Sequence, residues 1–388
     1  MIRIARAAVL AIAAVCVASA ANVPAATVIV TVRNPIDLAR ASETIVLDAA
    51  KLRSLMGVED IRRVHVQDQV SGKELLVQAV DTNDDGAFDE LVFQADLGPK
   101  ETRRFLLKVG ERQVPRREDF KAYGRFVRER RDDFAWENDR IAHRMYGAAL
   151  ETWAQEPLTS SAVDVWTKRT PRLVINDWYM VDDYHHDHGE GADLYSAGTS
   201  RGCGGNGIWA EGRLYPSRNF RASRVLANGP IRVMFELTYD QWDAAGVRVS
   251  EVKRVTLDAG HNFDRFESRY TTTGSPAALT QAVGIKKSAG ASSKTLRDQG
   301  SLRTWETLKE NGELGCAVIV RSDDVVDFSE DKSNYLVVAR VPANGTTVYY
   351  AGFGWSRSDF RTVEDWDRYI AQDAARLRSP VEVTLTAQ

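Results

Sequence analysis

The chain has 388 residues, of which 44% are hydrophobic, 27% are charged and 9% are aromatic, and its net charge is −3. This composition excludes a disordered chain, a collagen-like repeat and a small disulfide scaffold. The acidic balance also excludes a basic protein that binds nucleic acid or a membrane surface. No stretch after residue 26 is apolar for long enough to cross a bilayer, so we expect no membrane anchor in the mature chain.

Residues 1–26 have the pattern of a secretory signal peptide. Arg3 and Arg6 precede a short apolar run, and Ala18–Ala20 offers the small residues of a cleavage site. Cys16 is not preceded by a small residue, which disfavours a lipoprotein anchor. We therefore expect an exported protein that is periplasmic or secreted.

Removal of this segment leaves two cysteines, Cys203 and Cys316. In an oxidising compartment these residues could form one disulfide that closes a long loop. Two buried free thiols are the other interpretation, and the sequence leaves both open.

Residues 27–110 predict a small antiparallel β-sandwich, because short alternating or apolar stretches are separated by turn residues. The predicted strands are Thr27–Val32, Thr44–Leu47, Arg63–Val66, Glu74–Val80, Glu90–Ala95 and Arg104–Val109. The turn Asp81–Gly86 resembles the start of a calcium-binding loop, but Val92 stands where a bidentate Glu is expected. A hairpin turn rich in Asp, Asn and Gly is the other interpretation.

Residues 111–133 differ from what precedes them, since 14 of these 23 residues are charged. Such a run is typical of a solvated connector and predicts a domain boundary. Residues 134–388 carry a strand signal again and predict a large curved β-sandwich of the mutarotase-like type. The strand signal is found in Ile141–Met145, Ala162–Lys168, Arg172–Ile175, Ser223–Val225, Ile231–Tyr239, Val247–Leu257, Asp264–Tyr270, Cys316–Val320, Tyr335–Val341, Thr346–Phe353 and Val381–Thr386.

One helix is predicted near the C-terminus. Thr362 can cap its first turn, with Asp365 in the capping-box position. The apolar stripe on its buried face consists of Val363, Trp366, Tyr369, Ile370 and Leu377. The fold class is therefore mostly β: a small antiparallel sandwich, then a large one with a single C-terminal helix.

Residues 179–209 concentrate acid–base groups and glycines. Three of the six histidines, His185, His186 and His188, fall within four residues of each other here. Histidine titrates near neutrality, and glycine lets the backbone pass close to a ligand. We interpret this segment as the active-site loop, and a solvated polar loop is the other interpretation.

The loop is compatible with two kinds of chemistry. His186, His188 and Glu190 alternate, so in an extended segment they share one face and could bind one divalent metal ion. Alternatively no cofactor is required, and His188, His186 or Tyr184 acts as a general base. Arg201 would then bind the negative charge of the substrate.

Substrate-binding residues are predicted on both sides of the loop. The segment that opens the large domain carries Asn138, Arg140 and His143 beside a tryptophan. Such a charged run could bind an acidic sugar or form an ion-pair network at a domain interface. Tyr179 and Trp209 add aromatic rings of the kind on which sugars stack. All nine tryptophans lie after residue 135, which assigns ligand binding to the large domain.

Several motifs occur in the order found in a known family. They are Glu137–Ala142, Asp164–Trp166, Trp178–Tyr179, His185–Gly191, Ser200–Gly205, Gly207–Trp209 and Val225–Arg232. Over nearly all of the mature chain they resemble a family of exported bacterial proteins catalogued as domain of unknown function 4861 (DUF4861). The resemblance implies a protein of polysaccharide degradation, because at least one member is similar to an oligosaccharide dehydratase that acts on a terminal uronic acid.

The reaction implied is β-elimination at the non-reducing-end uronic acid of an acidic oligosaccharide, which gives a 4,5-unsaturated uronate. A polysaccharide lyase would use the same groups with a sugar as the leaving group. A glycoside hydrolase would need paired carboxylates. Candidates for that pair are Glu137, Asp183, Asp187 and Glu190. A non-catalytic carbohydrate-binding protein would need only the aromatic contacts.

Overall fold

The computed structural model describes residues 27–154, 158–159, 161–273 and 278–388. The predicted signal peptide, residues 1–26, lies outside the described residues. As predicted, the described chain is mostly β, with several antiparallel sheets and a helix near the C-terminus. No helix in these ranges is long and apolar enough to cross a membrane.

The elements are numbered in chain order. The first are β1 (Val28–Arg33), β2 (Arg40–Asp48), α1 (Ala49–Met56), β3 (Val64–Asp68), β4 (Glu74–Leu75), β5 (Val77–Val80), β6 (Glu90–Leu97) and β7 (Thr102–Val109). Next come β8 (Ala122–Val127), β9 (Asp133–Asn138), β10 (Ala142–Met145), β11 (Asp164–Lys168), α2 (Ile175–Val181), β12 (Gly191–Ala192), β13 (Cys203–Ala210), β14 (Arg213–Tyr215), β15 (Ala222–Ala227), β16 (Arg232–Ala244), β17 (Val247–Asp258) and β18 (Phe263–Thr273). The last are β19 (Thr280–Lys286), β20 (Ser292–Leu296), β21 (Ser301–Thr307), β22 (Glu313–Val320), β23 (Val325–Glu330), β24 (Asn334–Arg340), β25 (Thr346–Trp355), α3 (Val363–Arg378) and β26 (Glu382–Ala387).

The small sandwich contains the strands of residues 27–110, and the last strand of the chain completes it. One sheet has the order β26-β1-β7-β3-β4 and the other has the order β2-β6-β5. β26 pairs antiparallel with β1, from Val28↔Ala387 to Arg33↔Glu382. The predicted boundaries, 27–110 and 134–388, are therefore corrected: the chain leaves this sandwich after β7 and returns to it at β26.

The remaining strands form a larger sandwich with two layers. One layer is an eight-stranded sheet, β15-β16-β17-β18-β25-β22-β21-β20. The other consists of two five-stranded sheets, β12-β11-β10-β9-β8 and β14-β13-β19-β24-β23, which the bridge Val163↔Gly202 joins. One continuous apolar core, which includes Phe134, Phe235 and Val283, lies between the layers.

β22 has a continuous apolar sequence because both of its faces are covered. Cys316, Val318 and Val320 face the core between the layers. Ala317 and Ile319 instead contact α3 on the outer surface of the sheet. Since side chains alternate along a strand, both faces of this strand are covered.

The predicted C-terminal helix is confirmed as α3. The side-chain oxygen of Thr362 accepts a hydrogen bond from the backbone N of Asp365 at 3.3 Å. Trp366 and Ile370 are buried against the eight-stranded sheet, whereas Leu377 is 37% exposed. Local sequence signals thus define this helix at both its cap and its buried face.

The predicted connector, residues 111–133, is not solvated along its whole length. Its second half contains β8, which pairs with β9 from Ala122↔Asn138 to Val127↔Asp133. The surrounding charged residues hide the sequence signal of this short strand, in which Ala122, Gly124 and Val127 are buried. The second half of the segment is therefore part of the large sandwich.

The structure also bears on the cysteine pair and on the turn Asp81–Gly86, for which the sequence leaves two interpretations each. Cys203 and Cys316 are free thiols and both are buried, so the structure contains no disulfide between them. The carboxylate of Asp81 accepts backbone hydrogen bonds from Asp84 at 2.7 Å and Gly86 at 2.8 Å. Its oxygens therefore hold a hairpin turn, and the described residues contain no cluster of acids there that could bind calcium.

Buried contacts join the two sandwiches. The side-chain amide of Gln78 accepts from the backbone N of Ile231 at 3.0 Å and of Arg232 at 2.8 Å, and it donates to Arg232 O at 2.9 Å. Glu90 pairs with Arg232 beside it. An apolar cluster at the same junction consists of Val80, Val92, Ala227, Ile231 and Met234.

Candidate active site

The turn at residues 169–173 holds the predicted loop against the large sandwich. The backbone N of Arg169, just after β11, donates to Glu190 O at 2.9 Å. Its guanidinium donates to Gly189 O at 2.9 Å and to Asp187 Oδ2 at 2.6 Å. One arginine thus fixes residues 187–190 of the loop, and no pattern in the sequence identifies it.

Arg172 makes Glu190 unavailable as a metal ligand. It binds both carboxylate oxygens of Glu190, at 3.0 and 2.7 Å, and it also pairs with Asp177. Within the described ranges, no three His, Cys, Asp or Glu side chains are arranged to hold a metal ion. The predicted set of His186, His188 and Glu190 is therefore not assembled in this structure.

Asp183 instead holds two of the histidines. Its Oδ1 lies 2.5 Å from His186 Nδ1, and its Oδ2 lies 2.9 Å from His188 Nε2. Hydrogen bonds from His186 and then His188 keep the pKa of Asp183 below its usual range. A carboxylate bound in this way orients an imidazole and fixes its tautomer. Both rings are open to solvent, with side-chain exposures of 75% and 67%.

A buried charge cluster lies beneath the loop. The guanidinium of Arg144 contacts Asp164 at 2.9 Å, Asp193 at 2.8 Å and Asp133 at 3.4 Å. Burial raises the pKa of Asp193 well above its usual value, although Arg144 opposes this effect. His185 Nδ1 lies 3.5 Å from Asp193 Oδ2, so it connects the exposed loop to this cluster.

Tyr184 and Tyr179 are part of the support of the loop. Their rings lie 4.9 and 4.8 Å from the ring of Trp166, and they are 6% and 4% exposed. Tyr184 Oη accepts a hydrogen bond from Arg130 Nε at 2.8 Å, and Tyr179 donates to Asp133 at 3.1 Å. A base role for Tyr184 and a sugar platform on Tyr179 both conflict with this burial.

Arg201 and Trp209, at the end of the predicted loop, contact other parts of the large sandwich and not the histidines. Arg201 is 3% exposed, its guanidinium donates to Ser161 Oγ at 3.0 Å, and its backbone N donates to Asn334 Oδ1 at 2.6 Å. Burial lowers its pKa to about 10. Trp209 packs on the outer face of the sheet β14-β13-β19-β24-β23, against side chains of β19 and β24. The proposed pairing of Arg201 with the loop histidines is therefore corrected.

The other predicted substrate-binding residues occupy two environments. Asn138 is fully buried and its Oδ1 accepts two backbone hydrogen bonds from the turn that follows β9. His143 is also buried, with Nε2 3.0 Å from Asp264 Oδ2. Arg140 is 39% exposed and pairs with Asp359 at 2.9 Å. Of these three residues, Arg140 alone has an exposed charged group.

Glu137 is committed to the start of α2. One oxygen accepts from Lys168 Nζ at 2.6 Å, and the other accepts from the backbone N of Val174 at 2.7 Å and of Ile175 at 2.8 Å. Such bonds satisfy the free N–H groups of a helix terminus. The cap comes from a distant residue. The strand predicted at Arg172–Ile175 is therefore wrong, because Ile175 begins α2.

Two grooves adjoin the turn at residues 169–173. The smaller has a volume of about 260 Å³ and is lined by Arg140, Lys168, Arg169, Thr170, Ser358 and Asp359. The larger has a volume of about 1080 Å³ and is lined by Arg117, Phe120, Lys121, Tyr123, Arg172 and Asn176. Asp139 and Pro171 line both grooves. Arg169 of the smaller groove binds Asp187 of the loop, and Arg172 of the larger groove binds Glu190.

Comparison with solved structures identifies a shared fold. An α-mannosidase from Enterococcus faecalis V583 has a TM-score of 0.50 at 9% identity, over 93% of this chain and 46% of that one. A protein of glycosyl hydrolase family 38 from Enterococcus faecalis has a TM-score of 0.50 at 10% identity, over 93% of this chain and 47% of that one. The chain spans about half of their length, and at these identities the likeness concerns the fold alone.

The sequence comparison identifies the family. The family model described as "Domain of unknown function (DUF4861)" matches residues 32–383. "Uncharacterized protein P7" of Formosa agariphila is 34% identical over 373 residues, which cover 92% of this chain and 93% of the relative. The chain therefore belongs to the DUF4861 family, as its motifs predict.

Proposed function

We propose that this protein is an exported enzyme that catalyses β-elimination at the non-reducing-end uronic acid of an acidic oligosaccharide. The observation that carries the proposal is the pair of histidines, His186 and His188, held by Asp183 in a loop that Arg169 of the smaller groove binds at Asp187. The motif resemblance and the fold shared with structures named as glycoside-processing enzymes support a carbohydrate substrate.

The reaction needs a base near C5 of the uronate and a cation near its carboxylate. When the C5–H bond breaks, its electron pair forms the C4–C5 double bond, and the 4-hydroxyl leaves as water after protonation. His186 Nε2 and His188 Nδ1 are the ring nitrogens that do not face Asp183, so either can accept the proton. Arg169 or Arg140 can stabilise the negative charge that develops on the carboxylate.

A glycoside hydrolase is less well supported by the same residues. Its general acid is a carboxyl group with a raised pKa. Hydrogen bonds from His186 and from Arg172 hold the pKa values of Asp183 and Glu190 below their usual range. The pKa of Asp187 is also below its usual range, because backbone hydrogen bonds outweigh the opposite effect of burial. None of these three carboxyl groups is suited to donate a proton near neutrality.

The test measures near-ultraviolet absorbance while the mature chain acts on oligosaccharides with a terminal uronic acid. Elimination creates a conjugated product, whereas hydrolysis and binding do not. We expect His188→Ala to lower kcat by about 10²–10⁴-fold with no change in Tm, because this side chain is 67% exposed. His65→Ala is the matched control, since His65 lies 2.5 Å from Glu74 on the small sandwich. This control should keep the parent rate.

Further variants define the role of each group. Asp183→Asn should lower kcat with little change in KM, because Asp183 positions the bases, and Asp183→Glu should retain part of the rate. Loss of activity on chelation, with recovery on one divalent ion, would favour His186, His188 and Glu190 as ligands instead. If no terminal uronate yields absorbance, the elimination proposal is wrong. Binding without any product would favour a carbohydrate-binding protein.

A further inference from the structure

The larger groove has no part in the bond-breaking step proposed above. It is bounded by residues 117–123, by the turn at residues 171–173 and by the start of α2. We infer that this groove binds the body of an oligosaccharide that carries negative charges, either carboxylates or sulfate esters. The inference relies on the proposed function to say which end of the ligand reacts, whereas binding in the groove is independent of it.

The lining of the groove suits sugar rings. Phe120 is 39% exposed and Tyr123 is half-buried, and Pro171 and Leu173 also line the groove. Sugars present flat faces of C–H groups that pack on aromatic rings. Pockets for single small ligands have volumes of about 300–1,000 Å³. At about 1080 Å³, this open groove has room for several sugar units.

The positive charges of the groove favour an acidic ligand. Arg172 is already paired with Asp177 and Glu190. Arg117 and Lys121 are exposed, and neither has an ion pair or a side-chain hydrogen bond within the part of the chain that the structure describes. These two cations are therefore available to anionic groups of a ligand.

The acidic side chains that line the groove have other partners. Glu118 pairs with a neighbouring arginine at 3.2 Å, and Asp139 accepts a hydrogen bond from the backbone N of Gly260 at 2.7 Å. Glu137 is buried and bound to Lys168. Among the described residues, Arg117 and Lys121 are the charged lining residues that have no partner, and they are complementary to carboxylates or sulfates.

The groove leads towards the loop. Because Asp139 and Pro171 line both grooves, a ligand that leaves the larger groove passes Arg140 and Arg169. Arg169 in turn contacts Asp187 of the loop. A chain of sugars can thus lie in the larger groove while its terminal residue reaches the smaller groove, whose Arg169 binds the loop.

The binding test uses calorimetry on the full mature chain with three probes. They are trigalacturonate, its methyl ester, which lacks the charges, and κ-carrageenan tetrasaccharide, which carries sulfate esters. We expect the double variant Arg117→Gln/Lys121→Gln to bind the charged probes about tenfold more weakly and the methyl ester unchanged. Lys51→Gln/Lys73→Gln, two exposed lysines of the small sandwich, is the matched control and should bind as the parent does.

The aromatic contact is tested separately. Phe120→Ala should weaken every probe that binds by about threefold to tenfold, since stacking does not depend on charge. Weakening of trigalacturonate by the double variant would identify carboxylates as the bound groups, and weakening of κ-carrageenan alone would identify sulfates. The inference is overturned if none of the probes binds. It is also overturned if the double variant and Phe120→Ala both bind the probes as tightly as the parent does. Binding with these dependences but without product would contradict the elimination proposal and leave this inference in place.

Discussion

Three buried aspartates surround the guanidinium of Arg144 beneath the loop, and their protonation determines how stable this support is. Asp133 makes the longest of the three contacts, at 3.4 Å, and it is fully buried. Burial raises its pKa to about 6, although Arg144 and Arg130 oppose this effect. The carboxyl group therefore binds its proton more tightly in the folded chain than in the unfolded chain.

This shift predicts a pH dependence of stability. A group whose pKa rises on folding stabilises the folded state fully below its unfolded pKa of about 4, and this contribution is lost as the pH rises through 6. Asp133→Asn cannot ionise and is free of this loss. We expect the Tm of the variant, relative to the parent, to increase between pH 4.5 and pH 7.5 in calorimetry.

The control for this prediction is Asp37→Asn, which changes an exposed carboxyl group of the small sandwich. Its Tm difference from the parent should stay constant over the same pH range. A difference for Asp133→Asn that is also flat would show that Asp133 is ionised in the folded chain throughout.

The residues of the site differ in how far the sequence could identify them. His186 and His188 stand close together in the sequence, so their local density could be recognised. Asp183 is a near neighbour that binds both, a role visible only once the loop is folded. Arg169 reaches Asp187 across a hairpin, and Arg201 enters the interior just before β13. Their positions depend on tertiary contacts that no local pattern encodes.

Among the elements, α3 could be predicted from the sequence and α2 could not. α3 has its own cap at Thr362 and its own apolar stripe, so the sequence predicts it. α2 has no side-chain cap at Val174, and Glu137 from β9 binds its first N–H groups instead. A short helix capped by a distant side chain cannot be inferred from its own residues. The alternating strands, by contrast, are recognised because their pattern is local.

The contact between β13 and β22 leads to a prediction about the cysteines. Cys203 and Cys316 are buried, and Cys203 Sγ donates to Gly352 O at 3.2 Å. Burial, followed by a hydrogen bond with Cys203, raises the pKa of Cys316 well above its usual value. Burial keeps reagents from both thiols, and the thiolate, the reactive form, is disfavoured at Cys316, so neither residue should react in the folded chain.

Alkylation followed by mass spectrometry checks this expectation. Both cysteines should be unmodified under native conditions and fully modified in denaturant, without prior reduction. A parallel sample reduced before alkylation should give the same result. A peptide in which Cys203 and Cys316 are linked would contradict this expectation, because it would show that the exported protein contains a disulfide between them.

At the scale of the whole molecule, the two ends of the described chain meet in one sheet. β1 lies between β7 and β26, so the small sandwich closes only after the large one has been traversed. Gln78 joins the backbone of residues 231 and 232 across the junction. This topology couples the two sandwiches, and we expect one cooperative unfolding transition for residues 27–388.

The coupling can be tested on β26 without removing a domain. Leu385 packs its side chain on the core of the small sandwich, whereas Thr384 beside it is exposed. Leu385→Ala should lower the free energy of unfolding by about 1–2 kcal/mol, and Thr384→Ala should change it far less. A fragment of residues 133–388 lacks both β8 and the β1 partner of β26, so it should not melt cooperatively. If that fragment folds and melts as the full chain does, the two sandwiches are independent domains and the coupling argued from the strand order is wrong.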